Sequence, residues 1–128
     1  MARNELERTI TATATIQSGQ SLSDAVDLGP GVLSGILMPA AWTAAALTFQ
    51  VSVDGATFYN LTKDAASDLQ IQAQAGRAYP VEAAAAFADT LYEGNPFTGF
   101  RYVKVRSGTS GAPVNQGAER QITLIAKY

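Results

Sequence analysis

Ala46-Leu47-Thr48-Phe49-Gln50-Val51-Ser52-Val53-Asp54-Gly55-Ala56-Thr57-Phe58-Tyr59-Asn60-Leu61 is the stretch that decides how this chain folds. Leu47, Phe49, Val51 and Val53 alternate with Thr48, Gln50, Ser52 and Asp54, the period of a strand with one dry face and one wet face. Asp54-Gly55 follows at once. Glycine takes positive φ without a Cβ clash, so the pair turns the chain back and residues 58–61 pair with what came before. The stretch reads as a β-hairpin at the centre of an antiparallel sandwich.

Upstream, Ile10, Ala12, Ala14 and Ile16 alternate with Thr9, Thr11, Thr13, Thr15 and Gln17, a half-buried first strand rich in β-branched residues. Residues 18–21 break it, and Leu22, Val26 and Leu28 mark a second short extended piece ahead of Gly29-Pro30-Gly31. Residues 32–38 are more continuously apolar, interrupted by Ser34-Gly35 and stopped by Pro39; they suit a strand buried on both faces. Trp42 reads as a plug closing one end of the sandwich, or as a stacking platform for a sugar ring.

Downstream, Leu69, Ile71 and Ala73 alternate with Gln70 and Gln72, which suits another strand. Asp64 and Asp68 lack a third ligand at EF-hand spacing and read as solvated loop acids. Pro80, Glu82, the alanines at 83–86 and Gly94 outline a short helix over residues 80–92, although an extended 79–81 followed by one or two helical turns fits equally. Residues 100–106 and 120–128 alternate again, separated by a Gly/Ser/Pro loop. The expectation is an all-β fold: an antiparallel β-sandwich or jelly roll over residues 9–128, with at most one short helix and an extended N-terminal arm over residues 1–8.

The chain has 128 residues, no Cys and no His. That removes disulfides, thiolate or imidazole metal sites, and the Ser-His and Cys-His nucleophile pairs. No phosphate-cradling loop or nucleophile elbow is present, and the glycine-rich 108–111 runs into Pro113 rather than a helix. Eleven carboxylates leave glycosidase chemistry formally open but single out no pair. The expectation is therefore no enzyme, no cofactor and no metal.

Charge is uneven. Residues 1–98 carry four basic and ten acidic side chains, whereas Arg101, Lys104, Arg106, Arg120 and Lys127 face only Glu119 thereafter. A locally basic last third reads as neighbouring strands sharing a solvated face, or as a face that meets an acidic protein surface; nucleic acid is the weaker reading for a chain of pI 4.9. Leu6 in the charged arm and Arg101, Lys104 and Arg106 are the candidate partner-binding residues. No apolar run is long enough to span a bilayer, and the N-terminus lacks a signal-peptide core, so a soluble chain made in the cytoplasm is expected.

Trp42-(x)4-Leu47-Thr-Phe-Gln-Val-Ser-Val-Asp-Gly55-Ala-Thr-Phe58, with Gly99-Phe-Arg101-Tyr-Val-Lys-Val-Arg106 far downstream, resembles the jelly-roll layout of discoidin-type carbohydrate-binding modules. Over most of its length, and especially in Ser18-Gly-Gln-Ser-Leu-Ser-Asp-Ala-Val-Asp-Leu28, Gly35-Ile-Leu-Met-Pro-Ala-Ala-Trp42 and Arg101-Tyr-Val-Lys-Val-Arg-Ser-Gly108, the chain also resembles small β-sandwich virion proteins of tailed bacteriophages. The second resemblance implies a decoration, cement or head-tail accessory protein. Such a protein binds the major capsid protein or another virion component, often as a homo-oligomer, and catalyses nothing. The first implies a carbohydrate-binding module on a phage or bacterial surface as the alternative.

Overall fold

The structure is a computed structural model that describes residues 8–65, 67–81 and 95–128. Eight strands form: β1 (Thr9–Ile16), β2 (Val26–Asp27), β3 (Val32–Leu37), β4 (Leu47–Ser52), β5 (Tyr59–Asn60), β6 (Ala78–Pro80), β7 (Tyr102–Ser107) and β8 (Arg120–Lys127). They make two four-stranded antiparallel sheets, ordered β1-β8-β3-β6 and β2-β7-β4-β5. β1 pairs with β8, β2 with β7, β3 with β6 and β4 with β5. The protein is thus one long ribbon folded back on itself and rolled, so that β8 also meets β3 and β7 also meets β4. This is the strand arrangement of a jelly-roll sandwich. The hairpin of residues 46–61 is the bend of that ribbon.

Between the sheets lies an apolar core that includes Ile16, Leu28, Leu33, Ile36, Phe49, Val103, Ile122 and Leu124, with Phe97 set edge-on to Phe49 at 5.0 Å between ring centres. Arg8, counted with the arm from sequence, exchanges backbone hydrogen bonds of 3.1 and 2.9 Å with Tyr128, so the β1–β8 ladder begins there. The rest of the expected arm, including Leu6, lies outside the described residues, as does the expected helix beyond residue 81; Ala78–Pro80 itself is strand.

Three expectations need correction. β3 is not buried on both faces: Leu33 and Ile36 point into the core three positions apart because the pairing slips at Ser34, while Leu37 is 42% exposed. The Ser34-Gly35 interruption is this bulge. Residues 68–73 make single bridges rather than a strand, Asp68 to Thr62 and Ile71 to Leu47. β5 occupies the edge of β4 beyond Leu47, so the segment cannot extend its ladder and instead tucks Leu69, Ile71 and Ala73 into the core. The wet face of β4 is covered too. Thr48 and Ser52 are buried, with the Thr48 hydroxyl donating to the Gly108 carbonyl at 2.7 Å.

Gly108 makes that crossing possible: its φ is +85°, and a Cβ there would lie 2.6 Å from the Ala112 carbonyl oxygen. At the same end of the sandwich, Trp42 is half-buried against the core and donates its indole N–H to Ala45 at 3.1 Å. Its loop is held by Gln116, which is 1% exposed. The Gln116 carbonyl oxygen accepts from the Thr43 N–H (2.8 Å) and Arg120 Nε (3.1 Å), and its amide donates to the Thr43 carbonyl (3.0 Å) and Ser107 Oγ (2.7 Å). All four positions of the side-chain amide are used.

Candidate functional site

β7 runs between β2 and β4 and presents Tyr102, Lys104 and Arg106 to the outer face of the second sheet, opposite Ser52, Gln50 and Thr48. Two of the three basic residues proposed from sequence, Lys104 and Arg106, therefore start on one face, and Arg101 lies just ahead of the strand. They do not share one environment. Arg106 is 6% exposed, because the segments around Asp68 and Gly108 pass over its end of the sheet. Its Nε donates to Thr48 Oγ1 at 2.9 Å and Nη1 to Asn60 Oδ1 at 3.0 Å, while Nη2 lies 3.8 Å from Asp68 Oδ1 with no hydrogen bond among the described residues. Burial lowers the guanidinium pKa, and the Asp68 charge works against that shift. Asp68 is itself 7% exposed, and its carboxylate accepts from the Ser110 N–H (2.7 Å) and hydroxyl (2.9 Å). Arg106 is thus an interior residue rather than a contact residue, and Asp68 is a buried partner rather than a solvated loop acid.

Arg101 stays at the surface but is already engaged. Its Nε and Nη2 make a two-pronged pair with Asp27 at 2.8 and 2.9 Å, and its guanidinium carbon lies 5.3 Å from the Tyr102 ring centre. Asp27 also accepts from the Gly29 N–H at 2.8 Å. The Arg101 hydrogen bonds, then that backbone bond, hold the Asp27 carboxyl at about 2, below its ordinary 3.8. Because the folded value is depressed, this contribution to stability is complete above pH 3.8 and is lost as pH falls through about 2. Melting temperatures taken between pH 5 and pH 2 should accordingly fall less steeply for Asp27→Asn than for the wild type. Some slope should remain from Asp54, whose pKa is also lowered, chiefly by the Thr57 and Ala56 backbone N–H groups.

Lys104 places its ammonium 4.5 Å from the Phe58 ring centre. The neighbouring turn is seated on Tyr102: a Cβ at Gly55, where φ is +77°, would come within 3.0 to 3.2 Å of that ring. Val53 and Tyr59, on either side of the turn, are 69% and 68% exposed. Lys104 with Phe58 and Tyr102 under Gly55 thus mark the outer face at the bend of the ribbon, and Val53 and Tyr59 stand exposed on either side of the turn.

No protein-family model matches the chain, and no curated protein matches it. Among solved structures it is similar to the crystal structure of the Yersinia pseudotuberculosis-derived mitogen, with a TM-score of 0.38 and 14% identity over 93% of this chain and 84% of that one. A likeness that low carries nothing about function.

The described aspartates have a common employment. Each of the five aspartates among the described residues accepts a backbone N–H: Asp24 from Thr15, Asp27 from Gly29, Asp54 from Ala56 and Thr57, Asp64 from Ser67, and Asp68 from Ser110. They hold loops in place, and among the described residues no three metal-ligating side chains converge. A shallow, open groove of about 300 Å³ lies on the outer face of the first sheet over Gly35, walled by Leu37, Tyr79, Pro80 and Ile125. Among the described residues its walls are mostly apolar, with Thr9, Ser34 and Lys127 also lining it.

Sequence reasoning missed both Gln116 and the Asp68–Arg106 pair. Asp68 and Arg106 lie far apart in the chain, as do Gln116 and Thr43, 73 residues away, so no local spacing signals them.

Proposed function

We propose that the protein is a non-enzymatic structural component of a virion, made in the host cytoplasm, that binds and stabilises an assembled phage capsid as a decoration or cement protein. The observation that supports the non-catalytic part is that all five described aspartates accept backbone N–H groups and so serve to hold loops. Val53 and Tyr59, the large apolar side chains exposed beside the turn, are the contact groups in this reading. Repeated across many identical shell subunits, modest contacts of this size add through avidity. Trp42 is half-buried with its N–H engaged, which weighs against the alternative of a glycan-binding module.

The test is sedimentation with assembled capsids. The wild-type protein should travel with particles, and Val53→Ser/Tyr59→Ser should bind at least about tenfold more weakly with an unchanged melting temperature. A chain that ignores every shell offered and shifts its tryptophan fluorescence with a glycan would replace this reading with the carbohydrate one.

A further inference from the structure

β1 is the edge of the first sheet, and its hydrogen-bonding alternation can be read from the ladder. Arg8 and Tyr128 exchange both backbone hydrogen bonds, so the even-numbered residues of β1 bond to β8. Thr9, Thr11, Thr13 and Thr15 therefore turn their N–H and C=O groups outward. Thr15 is satisfied locally, its N–H by the Asp24 carboxylate at 2.9 Å and its carbonyl by the Asp24 N–H at 3.2 Å. Among the described residues nothing meets the backbone groups of Thr9, Thr11 and Thr13. Three donors and three acceptors stand in a row.

The other sheet edges are blunted. β2 and β5 have two residues each, and β6 has three and ends in Pro80. β1 has eight, Thr-Ile-Thr-Ala-Thr-Ala-Thr-Ile, with no charge, no proline, no glycine and no slip in its register. Long, flat, neutral edges pair with another chain unless something protects them. On the inward side Ile10 and Ala12 are only partly buried against the core, so it too is unfinished along this edge.

We infer that β1 is a dimerisation edge that pairs antiparallel with β1 of a second copy of this chain about a two-fold axis at Thr11. In that register Thr11 faces Thr11, and Thr9 faces Thr13 in both directions. Each of these pairs exchanges two backbone hydrogen bonds, joining the two first sheets into one of eight strands. Threonines meet threonines on the outer side, and Ile10 meets Ala12 on the inner side, where it extends the core. Asp24 ends the pairing at Thr15. Arg8 lies opposite position 14 of the second copy, one residue from that carboxylate-capped end, so charge is complementary there.

The inference concerns the purified protein alone and does not depend on capsid binding. Light scattering should give about twice the 13.4 kDa chain mass. Thr11→Pro should give a monomer with unchanged circular dichroism, because the Thr11 N–H takes no part in the β1–β8 ladder. In this cysteine-free chain, Thr11→Cys should cross-link to itself under mild oxidation, whereas Thr13→Cys, which faces position 9, should not. A wild-type monomer at every concentration, a dimer that survives Thr11→Pro, or equal cross-linking by Thr13→Cys overturns the assignment.

Discussion

Asp68→Ala is expected to destabilise the protein by about 4 kcal/mol in urea unfolding, the range for removing one partner of a buried ion pair. The substitution strands the Arg106 guanidinium, whose side chain is 7% exposed, and takes the acceptor from the Ser110 N–H and hydroxyl. Arg106 keeps its bonds to Thr48 and Asn60, but those groups are neutral and do not replace a counter-charge. A second substitution separates this mechanism from simple loss of packing. Asp68→Ala/Arg106→Met removes the stranded charge and should recover about half of the loss or more, because well-packed apolar side chains commonly match a buried pair in stability. A double variant no more stable than Asp68→Ala would assign the loss to the Ser110 loop instead.

Gln116→Leu is the second large expected effect, about 3 kcal/mol, or roughly 10 °C in melting temperature for a domain of this size. Leucine nearly matches glutamine in volume, so the loss comes from hydrogen bonding. Ser107 Oγ is fully buried and loses its donor, and both backbone groups of Thr43 lose their partners. Arg120 Nε loses its acceptor as well. Since Thr43 adjoins Trp42, the loosened loop should also red-shift the tryptophan emission of the folded state. Gln116→Glu, which keeps the acceptor and removes the two amide donors, should fall between leucine and wild type.

The sandwich was legible because alternation is a local signal. β1, β4, β7 and β8 each show it over six to eight residues, and Asp54-Gly55 marks the bend of the ribbon. Alternation stops short of saying what covers a face. Thr48 and Ser52 were expected in water and lie under loops, and residues 68–73 alternate as a strand does yet find only single backbone partners. In β3 the bulge at Ser34 converts a period of two into a spacing of three, which imitates a strand buried on both sides.

The candidate site was legible only in part. The excess of positive charge in the last third placed Arg101, Lys104 and Arg106 on one strand, but the aspartates that engage two of them sit at positions 27 and 68. Charge counted along the chain treats those as unrelated loop acids. Pairing across the fold turns an apparent basic surface into one engaged guanidinium, one buried one and a lysine over an aromatic ring.

Pairing first with last also sets a timetable for folding. β4 and β5 are joined by a few residues and can zip while much of the chain is still unmade, but β1 meets its neighbour only when Arg120–Lys127 has emerged from the ribosome. Until then Thr-Ile-Thr-Ala-Thr-Ala-Thr-Ile waits with both of its edges bare. A fast local step followed by a slow closing step is the expected refolding pattern, and the interval between them is when this neutral strand is most open to pairing with the wrong chain.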